Sequence, residues 1–131
     1  MADLLIVDDD VDTADLLSEL LHFDGYDTRV ANDGSEALSL LDARKPDLVV
    51  LDVEMPKVSG PEMAHQMFMR NHGLESVPII LCSGMLDLGV VAASVGTRYY
   101  LSKPYALDSL VSLIGRALRE RAAPDPPPEK R

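Results

Sequence analysis

Residues 4–7, 48–51 and 79–81 are unbroken aliphatic runs. A continuous run, as opposed to an alternating one, marks a strand covered on both faces. Residues 26–30 alternate and predict an edge strand, and residues 98–101, with Tyr99 and Tyr100, predict a fifth strand that a following proline ends. Between these runs the apolar residues recur at helical spacing. Residues 11–23 carry Leu16, Leu17, Leu20 and Leu21, with Gly25 as the stop. Residues 33–44 carry Ala37, Leu38 and Leu41 and end before Pro46. Residues 61–72 carry Met63, Met67 and Met69, with Pro61 suited to the first turn and Gly73 to the exit. Residues 86–95 read as a helix whose propensity Gly89 and three valines lower. Leu107, Leu110, Val111, Ile114 and Leu118 define a helix over residues 106–121.

Five βα units in about 120 residues predict an α/β fold, a parallel sheet with helices on both faces. Right-handed crossovers make a doubly wound sheet the compact solution. The 131 residues suit one domain, and 47% hydrophobic with 26% charged is an ordinary globular composition. One cysteine, Cys82, excludes an internal disulfide or a multi-cysteine zinc site. No apolar run approaches the roughly 20 residues a membrane helix needs. Asp3 and Asp8–Asp10 interrupt the N-terminal apolar stretch, unlike a secretory signal. A net charge of −10 argues against a nucleic-acid surface. These features predict a soluble, cytoplasmic protein with no membrane partner. Four of the nine prolines fall after Ala122, so residues 1–122 are expected to form the domain and 123–131 a proline-rich tail or linker.

In open α/β sheets ligands collect beyond the C-terminal ends of the strands. Here the first run ends in Asp8-Asp9-Asp10, the third in Asp52-Val53-Glu54-Met55-Pro56, the fourth in Ser83-Gly84 and the fifth in Ser102-Lys103-Pro104. One aspartate suffices to cap the first helix, so the surplus at residues 8–10 needs another cause. Asp52 directly follows an apolar run, where an unpaired carboxylate is partly desolvated and neighbouring carboxylates raise the cost. A cation would offset such a cluster, and all-oxygen ligands favour Mg²⁺ or Mn²⁺ over zinc.

Asp8-Asp9, Leu51-Asp52-x-x-Met55-Pro56, Ser83-Gly84 and Tyr100-x-x-Lys103-Pro104, in this order, resemble the receiver domain of two-component response regulators, across residues 3 to about 120. The resemblance implies a flavodoxin-like, chemotaxis-regulator-like sheet in the order 2-1-3-4-5 with five helices. It implies Asp52 as acceptor of a phosphoryl group from a phosphohistidine, on a sensor histidine kinase or a histidine phosphotransfer protein. Asp9, Asp52 and the Glu54 backbone carbonyl would ligate Mg²⁺, with Asp8 acting mainly through a coordinated water. Lys103, the Ser83 hydroxyl and the Gly84 N–H would bind phosphoryl oxygens. Ser83 and Tyr100 would form the switch, remodelling a protein-docking face of helix four, strand five and helix five, and the Lys103–Pro104 bond would be cis.

Some residues depart from this pattern or lie beside it. Gly96-Thr97-Arg98-Tyr99-Tyr100 lacks the acidic pair of the DNA-binding regulators, which puts their dimer face in doubt. Glu54 and Met85 occupy variable positions that tune phosphoryl lifetime, and predict slow self-dephosphorylation. His22, His65 and His72 read as surface residues; Met55, Met63, Met67 and Met69 as core fillers; Cys82 as a buried small hydrophobe. The expected role is signalling, not enzymatic turnover. The alternatives are an aspartyl-phosphate phosphohydrolase of the haloacid-dehalogenase type, which would need a second Asp where Glu54 stands, and a degenerate receiver acting only by binding. The sequence leaves open whether the chain acts alone or heads a longer regulator.

Overall fold

The computed structural model describes residues 1–70 and 73–127. Strands β1 (Asp3–Val7), β2 (Asp27–Ala31), β3 (Leu48–Asp52), β4 (Ile79–Ser83) and β5 (Tyr99–Ser102) form one parallel sheet in the order β2-β1-β3-β4-β5. Helices α1 (Val11–Phe23), α2 (Gly34–Ala43), α3 (Gly60–Met69), α4 (Leu88–Val95) and α5 (Leu107–Glu120) connect or follow the strands. A short 3₁₀ turn at Leu74–Ser76, unforeseen in the sequence, leads into β4.

The unbroken aliphatic runs are explained by the two cores. Leu5, Val7, Val49, Leu51, Ile79 and Leu81 face α2, α3 and α4, whose Ala37, Leu41, Met63, Met67 and Ala92 are buried against them. The intervening Leu4, Ile6, Leu48, Val50, Ile80 and Cys82 face α1 and α5, through Ala14, Leu17, Leu21, Leu110 and Ile114. Every residue of β3 and β4 is buried, as two-sided cover requires.

Several boundaries shift from expectation. β2 and β5 each begin one residue late, at Asp27 and Tyr99. α4 starts at Leu88: the Asp87 carbonyl accepts the N–H groups of Val90 and Val91, leaving Leu86 outside the helix and fully exposed. The expected end of α3 at His72 lies outside the described residues. Met69, expected as a core filler, is instead 69% exposed. It sits two residues beyond Met67, about 200° around the helix and so on the opposite face.

Gly60 opens α3 where a side chain would not fit: a Cβ there would lie 2.6 Å from the Asp52 carbonyl oxygen. Its N–H donates to the Val53 carbonyl at 2.9 Å, so helix and strand end touch backbone to backbone. Beyond α5, residues 122–127 have no regular structure, but the Asp125 N–H donates to the Gly96 carbonyl at 2.9 Å.

Candidate functional site

Parallel pairing brings the strand ends to one edge. Asp52 is in register with Cys82, and Ser83 with Ser102. The ladder continues past the strands: Asp8 N–H donates to Ala31 O, Val53 N–H to Cys82 O and Lys103 N–H to Ser83 O. Asp8, Asp52, Ser83 and Lys103 are thereby fixed by backbone hydrogen bonds within or adjoining the sheet. Of the three consecutive aspartates, Asp10 is the cap of α1, its carboxylate accepting from Thr13 N–H at 3.1 Å. Asp8 and Asp9 are left for another purpose. The Asn32 side chain donates to the Asp8 carbonyl, and Asp10 N–H to the Asp8 carboxylate.

Asp8, Asp9 and Asp52 each present a carboxylate oxygen, and the three lie within 4.8 Å of one another. Asp8 and Asp52 are buried, while Asp9 faces solvent. Lys103 Nζ stands 3.3 Å from Asp8 Oδ2 and 3.5 Å from Asp52 Oδ1. One ammonium thus faces a group of three acids, and the remaining negative charge together with hard oxygen donors fits a small divalent cation. Burial is the main cause lifting the Asp52 pKa to about 6; Lys103 opposes it, and Asp8 and Asp9 add to it. Burial works against the charge on Lys103, but Asp52 and Asp8 together outweigh it and hold that pKa above the ordinary lysine value.

Beside this cluster Ser83, 1% exposed, donates its hydroxyl to Glu54 Oε1 at 3.1 Å and accepts from Met85 N–H at 3.1 Å. Asp52, Glu54, Ser83, Gly84, Met85 and Lys103 line a cavity of 420 Å³ open to solvent. The Lys103–Pro104 peptide is cis. A larger hollow, 590 Å³, lies between the C-terminal ends of α2 and α3, away from this edge.

The model of the response regulator receiver domain matches residues 4–115. The chain belongs to that family. Response regulator MprA of Mycobacterium sp. (strain KMS) is 38% identical over 128 residues, 96% of this chain and 54% of the relative. MprA of Mycobacterium leprae is 39% identical over 124 residues, 93% and 53% respectively. The chain therefore spans about half the length of the curated relatives it matches. Among solved structures, the receiver domain of Francisella response regulator 1452 superposes with a TM-score of 0.80 at 27% identity, covering 92% of this chain and 98% of that one. Vibrio cholerae chemotaxis protein CheY4 superposes with a TM-score of 0.81 at 28% identity, covering 88% and 98%.

In this receiver Tyr100 is 46% exposed and leans on α4, its hydroxyl 3.3 Å from where a Cβ on Gly89 would stand. Cys82 is buried, and burial is the main force pushing its thiol pKa to about 12, which leaves it inert at neutral pH. His22 and His65 are on the surface; His72 lies outside the described residues. No helix among the described residues is long and apolar enough to cross a membrane. Two supports of the site escaped the sequence reading, Asn32 and Gly60. Asn32 directly follows the end of β2 but carries no charge to mark it, and Gly60 stands at the start of α3, so only the folded proximity to Asp8 and Asp52 gives them away. The Glu54 position was legible as an anion near the site, but its hydrogen bond to Ser83 was not.

Proposed function

We propose that this receiver takes a phosphoryl group onto Asp52 from a phosphohistidine, on a sensor histidine kinase or a histidine phosphotransfer protein. The observation that carries the reading is the meeting of Asp8, Asp9 and Asp52 within 4.8 Å, with Lys103 Nζ beside two of them. Residues 1–122 make the receiver and 123–131 a proline-rich tail or linker.

An Asp52 carboxylate oxygen attacks phosphorus; a P–O bond forms, the P–N bond breaks, and its electron pair leaves on the imidazole nitrogen. With a pKa near 6 the carboxylate is still the majority form at neutral pH, and its raised basicity favours attack. Asp9, Asp52 and the Glu54 carbonyl would hold Mg²⁺, or Mn²⁺ in its stead, with Asp8 reaching it through water. When bound, the ion supplies positive charge that screens acceptor and phosphoryl anions from each other. Lys103 pairs with phosphoryl oxygens as a point charge, and Ser83 and the Gly84 N–H donate to others. The 420 Å³ cavity that these residues line has room for the group.

The phosphoryl group then draws the Ser83 hydroxyl towards it, and Tyr100 moves inward behind the shifted loop. The face of α4, β5 and α5 changes for a downstream protein. Phosphorylation shifts this equilibrium only by its differential contacts with the two states. Acetyl phosphate with Mg²⁺ tests the reading against its rivals. One phosphoryl group bound per chain, with slow release, supports it; sustained turnover favours a phosphohydrolase, and no uptake a binding-only domain.

A further inference from the structure

We infer that the Glu54 carboxylate is a latch on the switch: it holds the single proton that the Ser83 hydroxyl can donate and must surrender it to an incoming phosphoryl group. The inference rests on Asp52 as the phosphoacceptor and assigns Glu54 a positioning role that acts through Ser83.

A serine hydroxyl has one donor hydrogen. In this structure it goes to Glu54 Oε1 at 3.1 Å, while Met85 N–H fills an acceptor position on the same oxygen at 3.1 Å. Ser83 is 1% exposed, so water is not a ready alternative partner. Its hydroxyl therefore chooses between two anionic acceptors lining one cavity, Glu54 now and a phosphoryl oxygen on Asp52 later. Glu54 is exposed, and its carboxylate is resolvated once released. The two states thus exchange one charge-assisted hydrogen bond for another. Because Met85 N–H is tied to the Ser83 oxygen, rotation of that hydroxyl also disturbs the start of the loop into α4.

Two effects of Glu54 must be separated. Its charge repels any anion in the cavity whether or not the Ser83 hydroxyl is present, whereas the latch acts only through that hydroxyl. A double-mutant cycle divides them. The proteins are wild type, Glu54→Ala, Ser83→Ala and the double variant; the probe is beryllofluoride with Mg²⁺, read as the half-saturating concentration by amide NMR. Acetyl phosphate labelling of Asp52 is measured alongside. Because Glu54 is exposed, a latch worth one ordinary net hydrogen bond predicts that Glu54→Ala tightens beryllofluoride binding about 3- to 10-fold more when Ser83 is intact than in the Ser83→Ala background. Glu54→Gln, which keeps an acceptor oxygen without the charge, falls between wild type and Glu54→Ala. Equal gains in both backgrounds overturn the latch and leave simple repulsion; no gain from Glu54→Ala with Ser83 intact also overturns it. If wild type neither binds beryllofluoride nor labels, the phosphoacceptor reading itself fails, and the latch with it.

Discussion

Asp52 carries its charge where little water reaches it, 7% exposed at the end of a fully buried strand. Burial, followed by the balance of Lys103 against Asp8 and Asp9, lifts its pKa from 3.8 to about 6. A carboxyl whose pKa is higher folded than unfolded binds protons more tightly in the native state, so its ionisation opposes folding. The penalty is complete above about pH 6 and vanishes as the pH falls through 6 towards 4. Asp52→Asn should therefore stabilise the metal-free protein at pH 7 by about 1–2 kcal/mol, a value reduced for partial access of water. Urea unfolding at pH 7 and pH 4 checks this: the gap between variant and wild type should close at the lower pH, and a gap unchanged with pH would contradict it. Asp8, Asp52, Ser83 and Lys103 were legible before folding because strand ends place side chains regardless of packing detail. The Ser83–Glu54 bond was not, since it depends on the rotamer of a loop side chain.

At the level of elements, α3 is positioned by its first residue and by one stripe. Gly60 lets the helix start against the β3 end, and a methyl there would meet backbone atoms of Asp52 and Val53 at 2.6 and 2.9 Å. Backbone yields less readily than a side chain, so Gly60→Ala should cost about 1–3 kcal/mol and loosen the surroundings of Asp52; chemical unfolding and the Asp52 amide shift report both. Met67 is wholly buried and Met69 is 69% exposed. Met67→Ala should lose about 2–5 kcal/mol and Met69→Ala less than about 0.5. The Met63–Met67 spacing already sets the helix phase and puts Met69 on the opposite face, so grouping the three by residue type overrode the pattern. α4 was misplaced at its start although Asp87 is a favoured cap type there; in the structure Asp87 engages only its backbone carbonyl and makes no side-chain cap. α1, with a capping aspartate and a positive-φ glycine beyond its end, begins and ends where the pattern put it.

Across the whole molecule, net charge −10 and a parallel sheet act together. The topology gathers Asp8, Asp9 and Asp52 from two strand ends at one edge, with Lys103 as the ion-pair partner of Asp8 and Asp52. Mg²⁺ should raise the melting temperature, as a ligand of the folded state alone contributes about 2.7 kcal/mol at 100 times its dissociation constant. Asp9→Ala should abolish that rise while leaving the metal-free melting temperature close to wild type, because Asp9 is exposed. A rise retained in Asp9→Ala would argue for binding elsewhere. Fold and edge were legible together, because alternating βα units leave little choice of topology. The most direct measurement is the mass of the intact protein after incubation with acetyl phosphate and Mg²⁺, with the adduct located by peptide mapping. The expected result is one phosphoryl group per chain, on Asp52, absent from Asp52→Asn and absent when the metal is chelated. An adduct that survives Asp52→Asn, or none in the wild type with metal present, would contradict it.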